Sequence, residues 1–115
     1  MAECVVIDDQ LVVRLSMSEK LESVHRDVAV PLTSIRSVEV VDNALDYIHG
    51  MKVGAALPGT MAVGTYTSKN AKIFGAIHHS EHRGVRIVLE GTDFDELLVG
   101  CTNPETVASQ IPVAS

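Results

Sequence analysis

Short runs of β-branched and aliphatic residues, each closed by a brief polar or glycine-bearing break, succeed one another along most of this chain. That rhythm limits the fold more than any other feature, because segments so short and so interrupted assemble as sheets rather than as helical bundles. Residues 3–7 (Glu-Cys-Val-Val-Ile) and 11–15 (Leu-Val-Val-Arg-Leu) flank Asp8-Asp9-Gln10 and predict a hairpin with Leu11, Val13 and Leu15 on one face. Strand character resumes over 28–32, where Pro31 lacks an amide donor and so belongs at an edge or a strand end. Residues 35–41 alternate as a half-buried strand. Four further strands are predicted over 62–67, 72–78, 84–90 and 96–101. The gaps between them are short and polar, which predicts an antiparallel meander.

Two segments carry a helical period instead. Met17, Leu21 and Val24 recur at intervals of four and three behind Ser16-x-x-Glu19, predicting a short amphipathic helix over about 18–26. Thr102-Asn103-Pro104-Glu105 offers a cap and a first-turn proline, Val107, Ala108 and Ile111 form an apolar stripe, and Pro112 stops the helix. From Ala44 to Met61 the periodicity fades, and this stretch is expected to be a long glycine-punctuated connection. The expected class is mainly β within one domain, 1–115: a partly open barrel or two orthogonal antiparallel sheets, with one short inserted helix and a C-terminal capping helix.

Composition narrows the partners. The 115 residues carry 9 Lys and Arg against 15 Asp and Glu, a formal charge of -6 that works against binding nucleic acid or anionic lipid. With two Phe, two Tyr and no Trp, the stacking platforms of single-strand binders are also missing. Cys4 and Cys101 are too few for a disulfide scaffold or a four-thiolate zinc site and are expected to be small buried apolar residues. Glu3 and Asp8 interrupt the early apolar run, so no signal peptide is expected. The longest stretch without a formal charge, 53–68, is broken by Gly54, Pro58, Gly59 and Gly64, whereas a spanning helix needs about 20 apolar residues. A cytoplasmic setting is the expectation.

Several segments then resemble a known family. Val30-Pro31-Leu32-Thr33-Ser34-Ile35-Arg36-Ser37-Val38-Glu39-Val40 resembles the hydrophobic-Pro-Leu-x-x-Ile-x-Ser-Val segment of bacterial pleckstrin-homology-like (PH-like) domains. Leu57-Pro58-Gly59-Thr60, Gly64-Thr65-Tyr66 and Thr102-Asn103-Pro104-Glu105 follow in the order found in one such family of small single-domain proteins. The resemblance runs from about Glu3 to Ile111 and implies a seven-stranded, two-sheet barrel capped by a C-terminal helix. It implies no activity, since such a fold hosts many functions. Phosphoinositide-binding relatives carry Lys and Arg around the first hairpin loop. The acidic Asp8-Asp9-Gln10 here would repel such a head group.

The sequence contains no reactive constellation. His78-His79-Ser80-Glu81-His82 holds metal-ligating side chains, yet neighbours on a strand point to opposite faces, so the reading is an exposed polar hairpin end. His25-Arg26-Asp27 spells a kinase tripeptide without the Asn that should follow, since Leu32 stands there. His49 is an isolated loop histidine. Ser16 and Ser18 lack an orienting acid and an oxyanion site. No catalytic residue, cofactor site or metal site is expected.

What remains is surface. Leu57, Pro58, Gly59, Thr60, Met61 and Tyr66 lie in the charge-free stretch and form the candidate partner or ligand surface. The sequence thus predicts a non-enzymatic PH-like interaction module that self-associates or binds a protein partner, through an edge strand or the 55–62 loop. A small-molecule binding protein using the barrel mouth near 55–62 is the alternative.

Overall fold

The computed structural model describes residues 3–14, 28–47, 51–57, 61–67, 71–77 and 82–113, with only the backbone described at 51–57 and 61–62. The chain opens with the expected hairpin: β1 (Glu3–Ile7) pairs antiparallel with β2 (Gln10–Arg14) around a two-residue turn at Asp8-Asp9. Asp8 takes φ 54°, a left-handed conformation that Asp tolerates better than most residues. β3 (Val28–Pro31) pairs with β2 and completes a three-stranded sheet, its proline at the strand end as the sequence requires. The helix expected over about 18–26 lies outside the described residues.

A 3-10 turn, Leu32–Ser34, carries the chain into the second sheet. Two backbone bonds pin it: Leu32 N–H donates to the Asp9 carbonyl at 2.9 Å, and Glu90 N–H donates to the Ser34 carbonyl at 2.9 Å. The second sheet contains β4 (Ile35–Val41), β5 (Met51–Leu57), β6 (Met61–Thr67), β7 (Lys72–Ile77), β8 (Gly84–Leu89) and β9 (Glu96–Gly100), in the spatial order β4-β8-β9-β7-β6-β5. A C-terminal helix follows at Pro104–Gln110, with Pro104 in its first turn and Ile111 buried beyond it. The mainly-β, two-sheet class with a terminal helix is therefore the one the sequence leads to.

Three expectations need correction. Residues 44–61 are not a long connection: Ala44–Tyr47 is a 3-10 turn, and β5 pairs along its whole length with β6, from Met51↔Thr67 to Leu57↔Met61. Gly54, Ala55 and Ala56 give β5 little β-propensity, so its strand state comes from ladder hydrogen bonds with a neighbour. The strands number nine rather than seven or eight among the described residues. Nor is the series a simple meander. β7 and β8 do not pair; β8 lies one position further on, and β9 turns back into the gap, antiparallel to β8 and parallel to β7. Asp95 sets that parallel register. Its N–H donates to the Lys72 carbonyl at 2.8 Å, while its carboxylate accepts from Lys72 N–H at 2.8 Å.

β9 explains why the gap is filled. Leu97 and Val99 are buried in the core between the sheets, with Leu11, Val13, Val30, Ile35, Phe74 and Ile87; Leu98 is buried on the opposite face with Val41, Ala44, Tyr66, Ile73 and Ile77. A continuous apolar run belongs to a strand covered on both sides. Phe74 and Phe94 meet edge-to-face at 5.6 Å, and Val107 and Ala108 of the terminal helix pack onto the same core. Each fully buried Leu, Val or Phe here, such as Leu97, Val99 and Phe74, stabilises the fold by about 1.5–3 kcal/mol.

Candidate functional site

Of the residues singled out in the sequence as a surface, Tyr66 is the one whose side chain is described. Leu57 ends β5 and Met61 opens β6, so they are the closing pair of a hairpin. Pro58, Gly59 and Thr60, between them, lie outside the described residues. Tyr66 is corrected outright: it is only 5 % exposed and packs in the second core cluster, so it is no surface residue. Burial also pushes its phenol above the ordinary range. His78, His79, Ser80 and Glu81 are outside the described residues, as are Ser16, Ser18, His25 and His49. The described member, His82, uses its backbone carbonyl to accept a bond from Ala44 N–H at 2.8 Å.

The clearest polar constellation sits on the outer face of the six-stranded sheet. Arg86 donates from Nη1 to Glu39 at 2.7 Å and from Nε to Glu96 at 2.6 Å, and its guanidinium lies 5.2 Å from the centre of the Tyr47 ring. Hydrogen bonding to Glu39, set against burial and supported by Glu96, raises the guanidinium further above its ordinary value. These charges satisfy one another across three neighbouring strands, β4, β8 and β9. The arrangement is structural.

Sheet edges are where the fold leaves backbone groups for a partner. β4 ends the larger sheet with a register break between Ile35 and Ser37 and with exposed Arg36 and Glu39. A bulge and charges are the ordinary defences of an edge. β3 ends the smaller sheet after only four residues, closed by Pro31. β5, the other end of the larger sheet, is unbroken over its seven residues and carries one basic residue, Lys52. Among the described residues β1 has none of these protections. Its register is unbroken over five residues, it contains neither proline nor a basic side chain, and Val6 and Ile7 are 40 % and 41 % exposed. No sequence signal ranks these edges, because which strands end a sheet follows from pairing.

Geometry identifies the groups that β1 offers. In a two-residue hairpin the closing pair, here Ile7↔Gln10, exchanges both hydrogen bonds, and so does every second pair after it. Glu3, Val5 and Ile7 are thereby engaged with β2, and the N–H and C=O of Cys4 and Val6 point outward. Beside the first half of β1 lies a cleft of about 370 Å³, lined by Cys4, Val99, Cys101 and Val107 among others. The two cysteines form no disulfide. Burial, and secondarily the neighbouring Cys101, pushes the Cys4 thiol up to about 12, so it stays neutral and the cleft wall stays apolar. A second cleft of about 570 Å³ opens between β3 and the turn before β9, with Lys72, Asp93 and Phe94 in its wall. There the Lys72 ammonium lies 5.1 Å from the centre of the Phe94 ring.

Comparison with family models, curated proteins and solved structures finds no match to this chain. Among the described residues, no three His, Cys, Asp or Glu side chains are grouped to hold a metal ion, and no helix is long and apolar enough to cross a membrane.

Proposed function

We propose that this chain is a non-enzymatic, PH-like interaction module that receives a protein partner, or a second copy of itself, along an open sheet edge. One observation carries the reading: among the described residues β1 is an edge with no bulge, proline or basic side chain, and a mainly apolar cleft, with Glu3, Thr102 and Asn103 at its wall, lies beside it. Main-chain hydrogen bonds to an added strand supply affinity there, and the cleft selects one side chain of that strand. The PH-like part rests on the ordered motifs from Val30 to Glu105 and on a two-sheet core closed by a terminal helix. The parallel β7–β9 pair departs from the antiparallel sheets expected of it. A cytoplasmic setting belongs to the same proposal and is supported by two cysteines, Cys4 and Cys101, that are not joined as a disulfide.

Selection of random displayed peptides on the dilute protein, repeated on a Val6→Lys variant, tests the module reading. Enrichment of apolar, β-forming peptides on the native chain and their loss on the variant is expected. Enrichment of nothing, or of peptides indifferent to Val6→Lys, refutes it. The small-molecule alternative places its ligand at a barrel mouth near 55–62, whose side chains lie outside the described residues; a described cleft by Lys72 and Phe94 offers a second place for such a ligand. A thermal-shift screen with Phe94→Ala as control decides that reading.

A further inference from the structure

We propose that the strand docking on β1 is β1 of a second copy, the two running antiparallel about a two-fold axis through Val5. The proposal rests on the reading of β1 as the docking edge and names its occupant. Three observations converge on it.

The first is hydrogen bonding. Cys4 and Val6 carry the outward backbone groups, and a two-fold at Val5 sets Cys4 of each copy opposite Val6 of the other. Both outward-facing residues are then satisfied in both copies. Moving the axis to Cys4 or to Val6 leaves part of that set unpaired or draws Asp8 into the ladder.

The second is charge. Glu3, the one charged residue of β1, falls opposite Ile7 of the second copy. The two Glu3 carboxylates then stand four residues apart, about 14 Å at the strand rise, which exceeds the screening length of roughly 8 Å at physiological salt. A parallel pairing would place them side by side.

The third is shape. Cys4 and Val6 share the core-side face, because their partners on β2 are Val13 and Leu11, both fully buried. Val6 of the second copy, opposite Cys4, therefore lies over the cleft formed by Cys4, Val99, Cys101 and Val107. The contact is isologous: each copy supplies one valine and one cleft, and the two three-stranded sheets become one sheet of six strands. An edge of five residues makes a small interface, so the dimer should dissociate in the micromolar range.

Light scattering on a concentration series of the full chain tests this. The expected result is a mass rising to twice that of the chain, with Val6→Lys remaining at single mass and keeping the native circular dichroism. As a second measurement, Val5→Cys in a Cys4→Ser background should yield a reducible covalent dimer in air. Val5 faces its own copy at a non-hydrogen-bonded position, where Cα atoms approach to about 4.5 Å. A native chain of single mass at millimolar concentration, a dimer that survives Val6→Lys, or no Val5→Cys cross-link in a dimeric sample overturns the proposal. Single mass together with displayed peptides sensitive to Val6→Lys removes self-pairing and leaves the module reading standing. Failure of both removes the docking edge itself.

Discussion

Gly84 opens β8 opposite Gly100 of β9, and a methyl group there has nowhere to go. A Cβ at position 84 would overlap the Val99 carbonyl oxygen and lie 2.8 Å from its carbon and 2.9 Å from the Gly100 Cα. All three atoms are backbone, so relief requires the strands to part by more than an ångström at that end. Parting them loses the bond from Cys101 N–H to the Arg83 carbonyl, 2.9 Å long, together with the neighbouring ladder bond. Two hydrogen bonds contribute about 2 kcal/mol and overpacking adds about 1–3 kcal/mol. Restricting the unfolded chain returns up to about 1 kcal/mol. Gly84→Ala should thus destabilise the fold by roughly 3 kcal/mol, a large fraction of a typical stability of about 5–15 kcal/mol. Urea unfolding followed by circular dichroism reads this as a lower midpoint at unchanged slope. A change below about 0.5 kcal/mol, the range of an ordinary surface substitution, would refute the close approach of the two strands. Gly91 provides the contrast. Nothing lies within 4 Å of a Cβ there, but its φ is +81°. Gly91→Ala should cost about 1 kcal/mol and Gly91→Asn less, because Asn accepts the left-handed conformation.

Phe74, fully buried and edge-on to Phe94, should cost about 3–5 kcal/mol when changed to Ala, read from the same urea midpoints. Arg86→Met should cost about 1–2 kcal/mol after allowance for the partial exposure of the triad, and a cycle with Glu96→Gln should assign most of that to the pair. The Cys4 thiol is raised from 9.0 to about 12 in the fold, so the unfolded chain loses its proton first. Stability contributed by the neutral thiol is complete below pH 9 and falls by up to about 1.4 kcal/mol per pH unit between 9 and 12. Cys4→Ala should flatten that alkaline slope in urea titrations at stepped pH.

Local signals in the chain were sufficient for the hairpin around Asp8-Asp9, for the alternating strand Ile35–Val41 and for the helix opened by Pro104. Each is written in residues a few positions apart, as a turn, a period of two or a first-turn proline, and needs no distant partner. Leu97-Leu98-Val99 also carried a readable sign of central placement, since three consecutive apolar residues suit a strand buried on both faces. β5 was illegible because Gly54, Ala55 and Ala56 say little until β6 lies beside them. Tyr66 illustrates the same limit: an uncharged stretch is equally an exposed patch or an interior, and packing against Ile73 and Leu98 makes it interior. The edge status of β1, the cleft shared by Cys4 and Cys101, and the need for glycine at position 84 are properties of how sheets are ordered and how closely they approach. Such properties depend on residues far apart in the chain meeting in space, and hydrophobic periodicity, being local, carries no record of which strand lies next to which.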